Sequence, residues 1–341
     1  EQAAVFMADG WARVTGKPGV AVVTAGPGVT NAITGLWVAQ GTASPIVVFG
    51  GRSPLREFEW GSLQDMDSLS LARTVTKWAR AGYETKRIAE YVSMAFRHAL
   101  SGRPGPVYLE FPIDVLGARV DEAEIVLPRN YRTIARPQGD PALVKAAVEL
   151  LLRAEKPVII AGSGVWWSQA AKELLEFIEL TKIPLGMGWG HIPADHPLCL
   201  PLVGIQDADV VLLLGARLDF RLRYGHSPMF NENSKWIQVD IEPTEIGRNR
   251  PIDIGITGDA RAVLKQMIEE ARDRCRGCSE PPWVKECRER LKVRQGQLEI
   301  LMHSDSVPVH PARLCREVRD FIDRDATVVI DGGDISGWGF V

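Results

Sequence analysis

The sequence predicts an α/β protein made of three-layer, doubly wound parallel-sheet domains, and three observations lead there. Short apolar runs without polar alternation recur, at residues 20–24, 45–49, 107–111, 157–161 and 210–214. Strands buried on both faces read this way, and parallel sheets bury both faces. Stretches of helical period lie between the runs, and glycine-rich turns follow several of them, the punctuation of βαβ units.

Residues 2–14 read as a helix with Ala3, Ala4, Met7 and Ala8 on one apolar face, ended by Gly16, Pro18 and Gly19. A strand at 20–24, the turn Gly26-Pro27-Gly28, a helix from Thr30 to about Gln40 and a strand at 45–49 closing in Gly50-Gly51 form a βαβ unit. A helix at 88–100 and a strand at 107–111 complete a first domain, residues 1–116. Charged residues with Pro128 and Pro137 break the periodicity over 117–139, which reads as a linker. A second α/β domain, residues 140–273, runs through a helix at 142–153, the strand at 157–161 and the turn Gly162-Ser163-Gly164. It continues with a helix at 169–181, a short strand at 183–186, strands at 210–214 and 236–241, a turn at 254–259 and a helix at 260–272. Residues 274–308 read as a second linker with a helix inside, and 309–341 as the start of a third domain with a buried strand at 326–330. The chain opens inside a helical pattern without Met and stops before a helix can follow that strand, so an internal piece of a longer protein is expected.

Lys and Arg total 40 against 43 Asp and Glu, a net charge of −3. A near-neutral chain without a basic, aromatic-interleaved run is not expected to bind nucleic acid. Its apolar runs fall well short of the roughly 18 residues of a membrane span, so a soluble protein without a membrane partner is expected. Five cysteines, an odd number, make no disulfide framework and fit a reducing compartment, hence a cytoplasmic location. Cys275 and Cys278 form a CxxC with Cys287 beyond, but no second pair or nearby His completes a tetrahedral site. They read as surface thiols at a helix end.

Several positions carry possible chemistry. Gly26-Pro27-Gly28 between strand and helix marks a close backbone approach, either to a ligand phosphate at the helix N-terminus or to a neighbouring strand. Gly162-Ser163-Gly164 is half of a dinucleotide fingerprint, or a plain tight turn. Gly215-Ala216-Arg217-Leu218-Asp219 and Asp240-Ile241-Glu242-Pro243 each follow a buried strand, where open parallel sheets bind ligands. Asp240 there can accept from ribose hydroxyls or cap the turn at 244–246.

Glu1-Gln2-Ala3-Ala4, Met7 to Arg13, and Thr24-Ala25-Gly26-Pro27-Gly28-Val29-Thr30-Asn31 together resemble the pyrimidine-binding domain of thiamine-diphosphate-dependent enzymes. The branch is that of acetolactate synthase, 2-hydroxyacyl-CoA lyase, oxalyl-CoA decarboxylase and benzaldehyde lyase. Ser101-Gly102-Arg103-Pro104-Gly105-Pro106-Val107, Gly215-Ala216-Arg217 and Asp240 to Pro243 resemble the same branch in the same order. The resemblance implies a thiamine-diphosphate-binding fold followed by a Rossmann-like central domain. It assigns Glu1 to hydrogen-bond N1′ of the aminopyrimidine, in a surrounding apolar enough to raise its pKa. A Glu opening a helix is otherwise a dipole complement. Gly26, Pro27, Gly28 and Asn31 would line the same cofactor.

By the same resemblance, Gln64 within Leu63-Gln64-Asp65-Met66-Asp67 would reach a partner subunit's active site; the alternative is a solvated loop with Leu63 buried. Oxalyl-CoA decarboxylase carries a Tyr-Glu pair where this chain has Leu63 and Gln64, and acetolactate synthase a Phe where it has Leu63. In the central domain Gly162, Gly164, Arg217, Asp240, Ile241 and Asp259 would hold FAD, as in acetolactate synthase, or ADP or a CoA nucleotide, as in the acyl-CoA branch. Arg221 partly matches the acetolactate pattern, whereas Phe220 stands where a second Asp is usual, which counts against FAD. Gly333, Asp334 and Ile335 would touch the diphosphate, with the Mg²⁺ ligands beyond Val341. The implied activity is decarboxylation and carboligation of a 2-oxo acid, with acyl-CoA cleavage or decarboxylation second and a non-catalytic nucleotide-binding relative third; Glu1 and the intact loop from Gly26 to Asn31 argue against the last. A homodimer or tetramer and a small regulatory subunit are the implied partners.

Overall fold

A computed structural model describes residues 1–188, 190–275 and 279–339 of the chain, the side chain of Asp334 excepted. Helix α1 (Gln2–Thr15) ends at Gly16, whose φ of 67° lets its N–H reach back to the Ala12 carbonyl. Its buried face is Val5, Ala8, Asp9 and Ala12, while Met7 is 68% exposed. The expected apolar face is therefore rotated. Val5 sets the orientation by lying against Gly35, where a Cβ would come within 2.7 Å of Val5 Cγ1.

Strand β1 (Gly19–Val23) leads into α2 (Pro27–Thr42), which starts earlier than expected because Pro27 takes its first helical position. Strand β2 (Ile46–Arg52) runs through Gly50 and Gly51 instead of ending before them. A Cβ on Gly50 would lie 2.1 Å from the Tyr108 hydroxyl, so the missing side chain is a packing requirement. Two elements the sequence did not announce follow, α3 (Ser68–Arg73), capped by Asp67, and β3 (Trp78–Ala81). Then come α4 (Ile88–Leu100), β4 (Val107–Pro112) and α5 (Ile113–Gly117).

These strands form one parallel sheet of order β1-β2-β4-β3. Helices α1 to α3 bury Val5, Leu36 and Leu69 on one face, and α4 and α5 bury Tyr91, Ala95 and Val115 on the other. At the edge, β1 alternates, with Val20 and Val22 50% and 73% exposed, so only one of its faces is covered.

After 118–139, where one short 3₁₀ turn at Glu122–Glu124 is the only helical piece, Asp140 caps α6 (Pro141–Arg153). Next are β5 (Pro157–Ala161), α7 (Ser163–Trp167), α8 (Ala171–Thr181), β6 (Leu185–Met187), β7 (Val210–Leu214), β8 (Lys235–Asp240), β9 (Ile254–Thr257) and α9 (Ala260–Arg272). The second sheet is again parallel, of order β6-β5-β7-β8-β9. The expected turn at 254–259 is thus an edge strand. Four residues including a Gly offer no periodicity that separates the two. Helices α6, α8 and α9 pack Val148, Phe177 and Val263 on one face. Ile205, Leu222 and Phe230, from connecting segments with 3₁₀ turns, close the other.

Helix α10 (Pro282–Met302) turns Trp283, Val284 and Cys287 into this second core, and α11 (Pro311–Phe321) and α12 (Asp334–Gly339) follow. Residues 326–330 form no strand, and Val328 and Val329 are 55% and 91% exposed. A strand holds only beside another, and no described strand runs alongside. Cys275 and Cys287 are buried, not surface thiols, and burial pushes the Cys287 thiol up to about 11. Cys278 lies outside the described residues. Among the described residues no group of three or more His, Cys, Asp or Glu is placed to hold a metal ion, and no helix is long and apolar enough to cross a membrane.

Candidate functional site

Two sites emerge, one at the carboxyl end of the first sheet and one between the sheets. At the first, Glu1 stands at the head of α1, and the Asn31 Nδ2 donates to its Oε2 at 3.4 Å. A Cβ on Gly28 would lie 2.7 Å from Thr24 Cγ2 and 3.3 Å from Glu1 Cγ, so glycine lets the first turn of α2 close on the glutamate. Gly26 has a φ of 55°, and a Cβ there would sit 2.8 Å from Gln64 Cβ. Thr24 Oγ1 donates to Gln64 Oε1 at 3.5 Å. Glu1, Gly26, Pro27, Gly28, Asn31 and Gln64 therefore form one cluster within one chain. Glu1 itself is exposed, and the described residues give it no apolar cover.

The loop that delivers Gln64 is held by carboxylates. Asp65 accepts from Ser53 Oγ at 2.7 Å and from the Glu59 N–H at 3.1 Å, and Glu57 accepts from Ser62 Oγ at 2.7 Å. Gln64 adopts a φ of 60°, and Leu63 is 85% exposed, so the alternative of a buried Leu63 does not hold. Beside the loop, Arg52 pairs with Glu110 at 2.7 Å, with side chains 9% and 0% exposed. The Tyr108 hydroxyl donates to the second Glu110 oxygen at 3.0 Å, and burial together with that carboxylate drives the phenol far above its ordinary pKa. The Arg52 guanidinium also lies 4.7 Å from the centre of the Phe58 ring, which ties the start of the loop to the sheet.

The second site is a cavity of about 580 Å³ between the two sheet units. Gly162, Gly164, Arg217, Asp240 and Ile241 line it from the second unit, and Arg13, Gly41 and Arg103 from the first. A Cβ on Gly162 would lie 2.5 Å from the Gly215 carbonyl oxygen, and one on Gly164 2.7 Å from Gly215 Cα. Their amides are spent on Leu214 and Gly215 carbonyls, both at 2.9 Å. The half fingerprint at 162–164 is thus a backbone crossing that shapes the wall, with no amide left at these two glycines to cradle a phosphate.

The turn at the end of α2 forms a shared wall. Arg217 donates to the Gly41 carbonyl, Arg103 to that of Gln40 at 3.3 Å, and Trp167 Nε1 to that of Thr42 at 3.1 Å. Burial and the facing Arg217 hold the Arg103 guanidinium below its usual pKa, a sign of concentrated positive charge. Asp240 accepts from the Glu242 N–H at 2.9 Å, and burial raises its carboxyl to about 6. The cap of the following turn belongs to Glu242, which accepts from Thr244 N, so Asp240 is left facing the cavity. Asp259 is not among the lining residues. It caps α9 through the Arg261 and Ala262 N–H groups, both at 3.1 Å, and pairs with Arg136 at 2.9 Å.

Arg221 is bound to Asp219 at 2.6 Å, and Phe220 is 71% exposed. Gly333 and Ile335 do not line the cavity, and among the described residues no hydrogen bond ties them to the Glu1 cluster; the Asp334 side chain lies outside the described residues. Arg13, Arg103, Trp166 and His191 line the cavity without having been singled out from the sequence. Burial holds the His191 imidazole below its usual pKa. Arg13 and Arg103 had a signal, their places in the Met7 to Arg13 and Ser101 to Val107 runs; Trp166 and His191 are joined by folding alone.

Two family models match, "Thiamine pyrophosphate enzyme, N-terminal TPP binding domain" over residues 1–71 and "Thiamine pyrophosphate enzyme, central domain" over 144–267. The chain is 34% identical over 346 residues to the acetolactate synthase large subunit of Mycobacterium tuberculosis, covering 99% of the chain and 61% of that protein. It is 34% identical over 348 residues to the glyoxylate carboligase of Escherichia coli O157:H7, covering 96% and 57%. It is 31% identical over 351 residues to the 2-hydroxyacyl-CoA lyase of Arabidopsis thaliana, covering 98% and 61%. The chain thus spans about three fifths of the length of these relatives. Two family models falling in order on the two parallel-sheet units, with relatives of one kind along nearly the whole chain, make it a member of the thiamine pyrophosphate-dependent enzymes.

Proposed function

We propose that the protein to which this chain belongs forms or breaks a carbon–carbon bond next to a carbonyl with thiamine diphosphate, by acetolactate synthase-like decarboxylation and carboligation of 2-oxo acids. The convergence of Glu1, Gly28, Asn31 and Gln64 carries this reading. The cradle suits the cofactor: a glycine that any Cβ would close, beside a carboxylate held by an amide, fits a flat aminopyrimidine with a ring nitrogen to protonate. Thiamine diphosphate supplies a thiazolium able to hold carbanion charge next to a carbonyl. Glu1 holds a proton at N1′, Asn31 orients the Glu1 carboxyl, and Gln64 offers its amide to the reacting carbonyl. A Mg²⁺ ion for the diphosphate belongs to the proposal, with ligands outside the described residues.

For the cavity between the sheets we propose a nucleotide, FAD first and ADP or CoA second. Arg103 and Arg217 would meet its phosphates, Asp240 its ribose, and Trp166, 41% exposed, its ring. Cleavage of a 2-hydroxyacyl-CoA, the activity named for the Arabidopsis relative, or decarboxylation of oxalyl-CoA is the second reading for the whole protein. A second copy of the chain would cover the outer face of α1 and α2. Met7, Trp11 and Trp37 are 68%, 59% and 62% exposed there, and α2 contains no charged residue. The term "large subunit" in relatives' names is what favours a small regulatory partner.

Purification of the full-length protein, with its bound ligands extracted and its mass in solution measured, tests both cavity and assembly. Yellow flavin and a dimer or tetramer are expected. A colourless protein stabilised by ADP or CoA would shift the proposal to the acyl-CoA reading, and stabilisation by neither would remove the nucleotide.

Asp240 makes the nucleotide reading pH-dependent. Its folded carboxyl ionises at about 6 instead of 3.8, so the cost of its burial is absent below 3.8, grows between 3.8 and about 6, and is constant above. A ribose hydroxyl donating to the carboxylate offsets that cost. ADP binding should therefore tighten about tenfold between pH 5 and pH 7 and level off above. Titration calorimetry should find that Asp240→Asn loses this tenfold part and keeps only the slope of the ADP phosphate's own ionisation; a variant with the wild-type slope would detach the ribose from Asp240.

A further inference from the structure

Helix α4 ends without a left-handed cap residue, although the Ser101 N–H still donates to the Arg97 carbonyl at 3.1 Å. Ser101 at its C-cap is extended, and the carbonyls of the last turn and the following loop lie where a helix leaves acceptors unpaired. They are gathered instead from outside. The Lys77 ammonium, just before β3, donates to the His98 carbonyl at 2.8 Å, to Ser101 at 2.7 Å and to Arg103 at 2.6 Å. All three of its N–H donors are thereby used, and a cation is placed at the negative end of the helix.

The stem of Lys77 is equally committed. A Cβ on Gly105 would lie 2.8 Å from Lys77 Cδ, so the glycine lets the loop lie directly on the lysine chain. The Lys77 N–H donates to the Pro106 carbonyl at 2.9 Å, and Gly105 N–H to Ala99 at 3.1 Å. This loop places Arg103 and Pro104 on the wall of the cavity, with Arg103 fastened to Gln40. Lys77 is not among the lining residues.

We propose that Lys77 is a positioning residue for the cavity: it caps α4 from a distant strand and fixes the loop that presents Arg103 to an anionic ligand. The proposal rests on the reading of the cavity as a nucleotide site. It gives work to a cation that meets no phosphate itself. Removing the ammonium leaves three carbonyls without their donor and frees the backbone that aims Arg103.

The test uses the full-length protein, ADP as probe, and Lys77→Met, Lys77→Gln and Arg103→Met. Lys77→Met should weaken ADP binding about tenfold, and Lys77→Gln, which keeps two donors, by less. If Lys77 acts through Arg103, the double variant with Arg103→Met should bind within about twofold of Arg103→Met alone. Losses that multiply would overturn the proposal. Hydrogen exchange reports the loop without any ligand. The amides of Ser101 and Gly105 should exchange at least about tenfold faster in Lys77→Met, with the strands of the first sheet unchanged. Wild-type exchange in that variant sinks the inference whatever ADP does. A wild-type protein that fails to bind ADP, with faster loop exchange in the variant, rejects the nucleotide and keeps the clamp. Should Lys77→Met fail to fold, Lys77→Gln carries the same comparisons.

Discussion

Glu1→Gln in the full-length protein is expected to slow exchange of the C2 proton of bound thiamine diphosphate by about 10²–10⁴-fold, the usual range for losing a positioned acid or base. The amide keeps the shape of the side chain and an oxygen for Asn31 Nδ2, now 3.4 Å from the carboxylate, so the cradle beside Gly28 stays intact. What it loses is a group that can carry a proton at N1′. Cofactor affinity should change only a few-fold, because the contacts of Gly26 and Gly28 are backbone packing. Proton exchange followed by NMR after acid quench separates the two effects. Exchange at the wild-type rate would remove Glu1 from its role and leave the cluster as a binding site only.

Glu110→Ala should be the most destabilising single change near this cluster, at about 3–5 kcal/mol. The substitution leaves the Arg52 guanidinium, 9% exposed, without its carboxylate, and Arg52 Nε already lacks a partner. It also strips the Tyr108 hydroxyl of its acceptor. The double change Arg52→Met with Glu110→Leu removes both charges together and should recover most of the loss, because a buried pair contributes little net stability over apolar residues of similar volume. Denaturant melts of the three proteins decide this. A double variant as unstable as Glu110→Ala would mean that the pair is needed for more than mutual neutralisation. With Phe58 stacked on Arg52, the double variant should also loosen the loop that carries Gln64.

Most of the fold was legible where the chain speaks locally. Helices α4 and α9 and strands β5 and β7 fall at the expected residues, because continuous apolar runs and helical spacing bounded by caps and turns need no distant partner to be recognised. The short edge strands β3 and β9 were not legible, since four residues carry too little periodicity. Residues 326–330 failed the other way: their apolar run is real, but no described strand pairs with it. The first cluster was legible because its members lie in two short motifs and one loop. The second was legible in part: Gly162, Gly164, Arg217, Asp240 and Ile241 lie at the ends of buried strands or in the turns that follow them, whereas Arg13 and Arg103 come from the first unit and join them only across the cavity.

Fold class and family membership were thus written in the sequence alone, because hydrophobic period and short motifs are local properties that survive without knowledge of contacts. Tertiary structure alone decided that Asp240 faces the cavity while Asp259 caps α9 and pairs with Arg136, 123 positions away. It also decided that the amides of Gly162 and Gly164 are consumed by neighbouring carbonyls. Two carboxylates or two glycines look alike in a sequence. What each can bind depends on which of its hydrogen-bonding groups remain unpaired, and that is settled only when distant backbone closes around them.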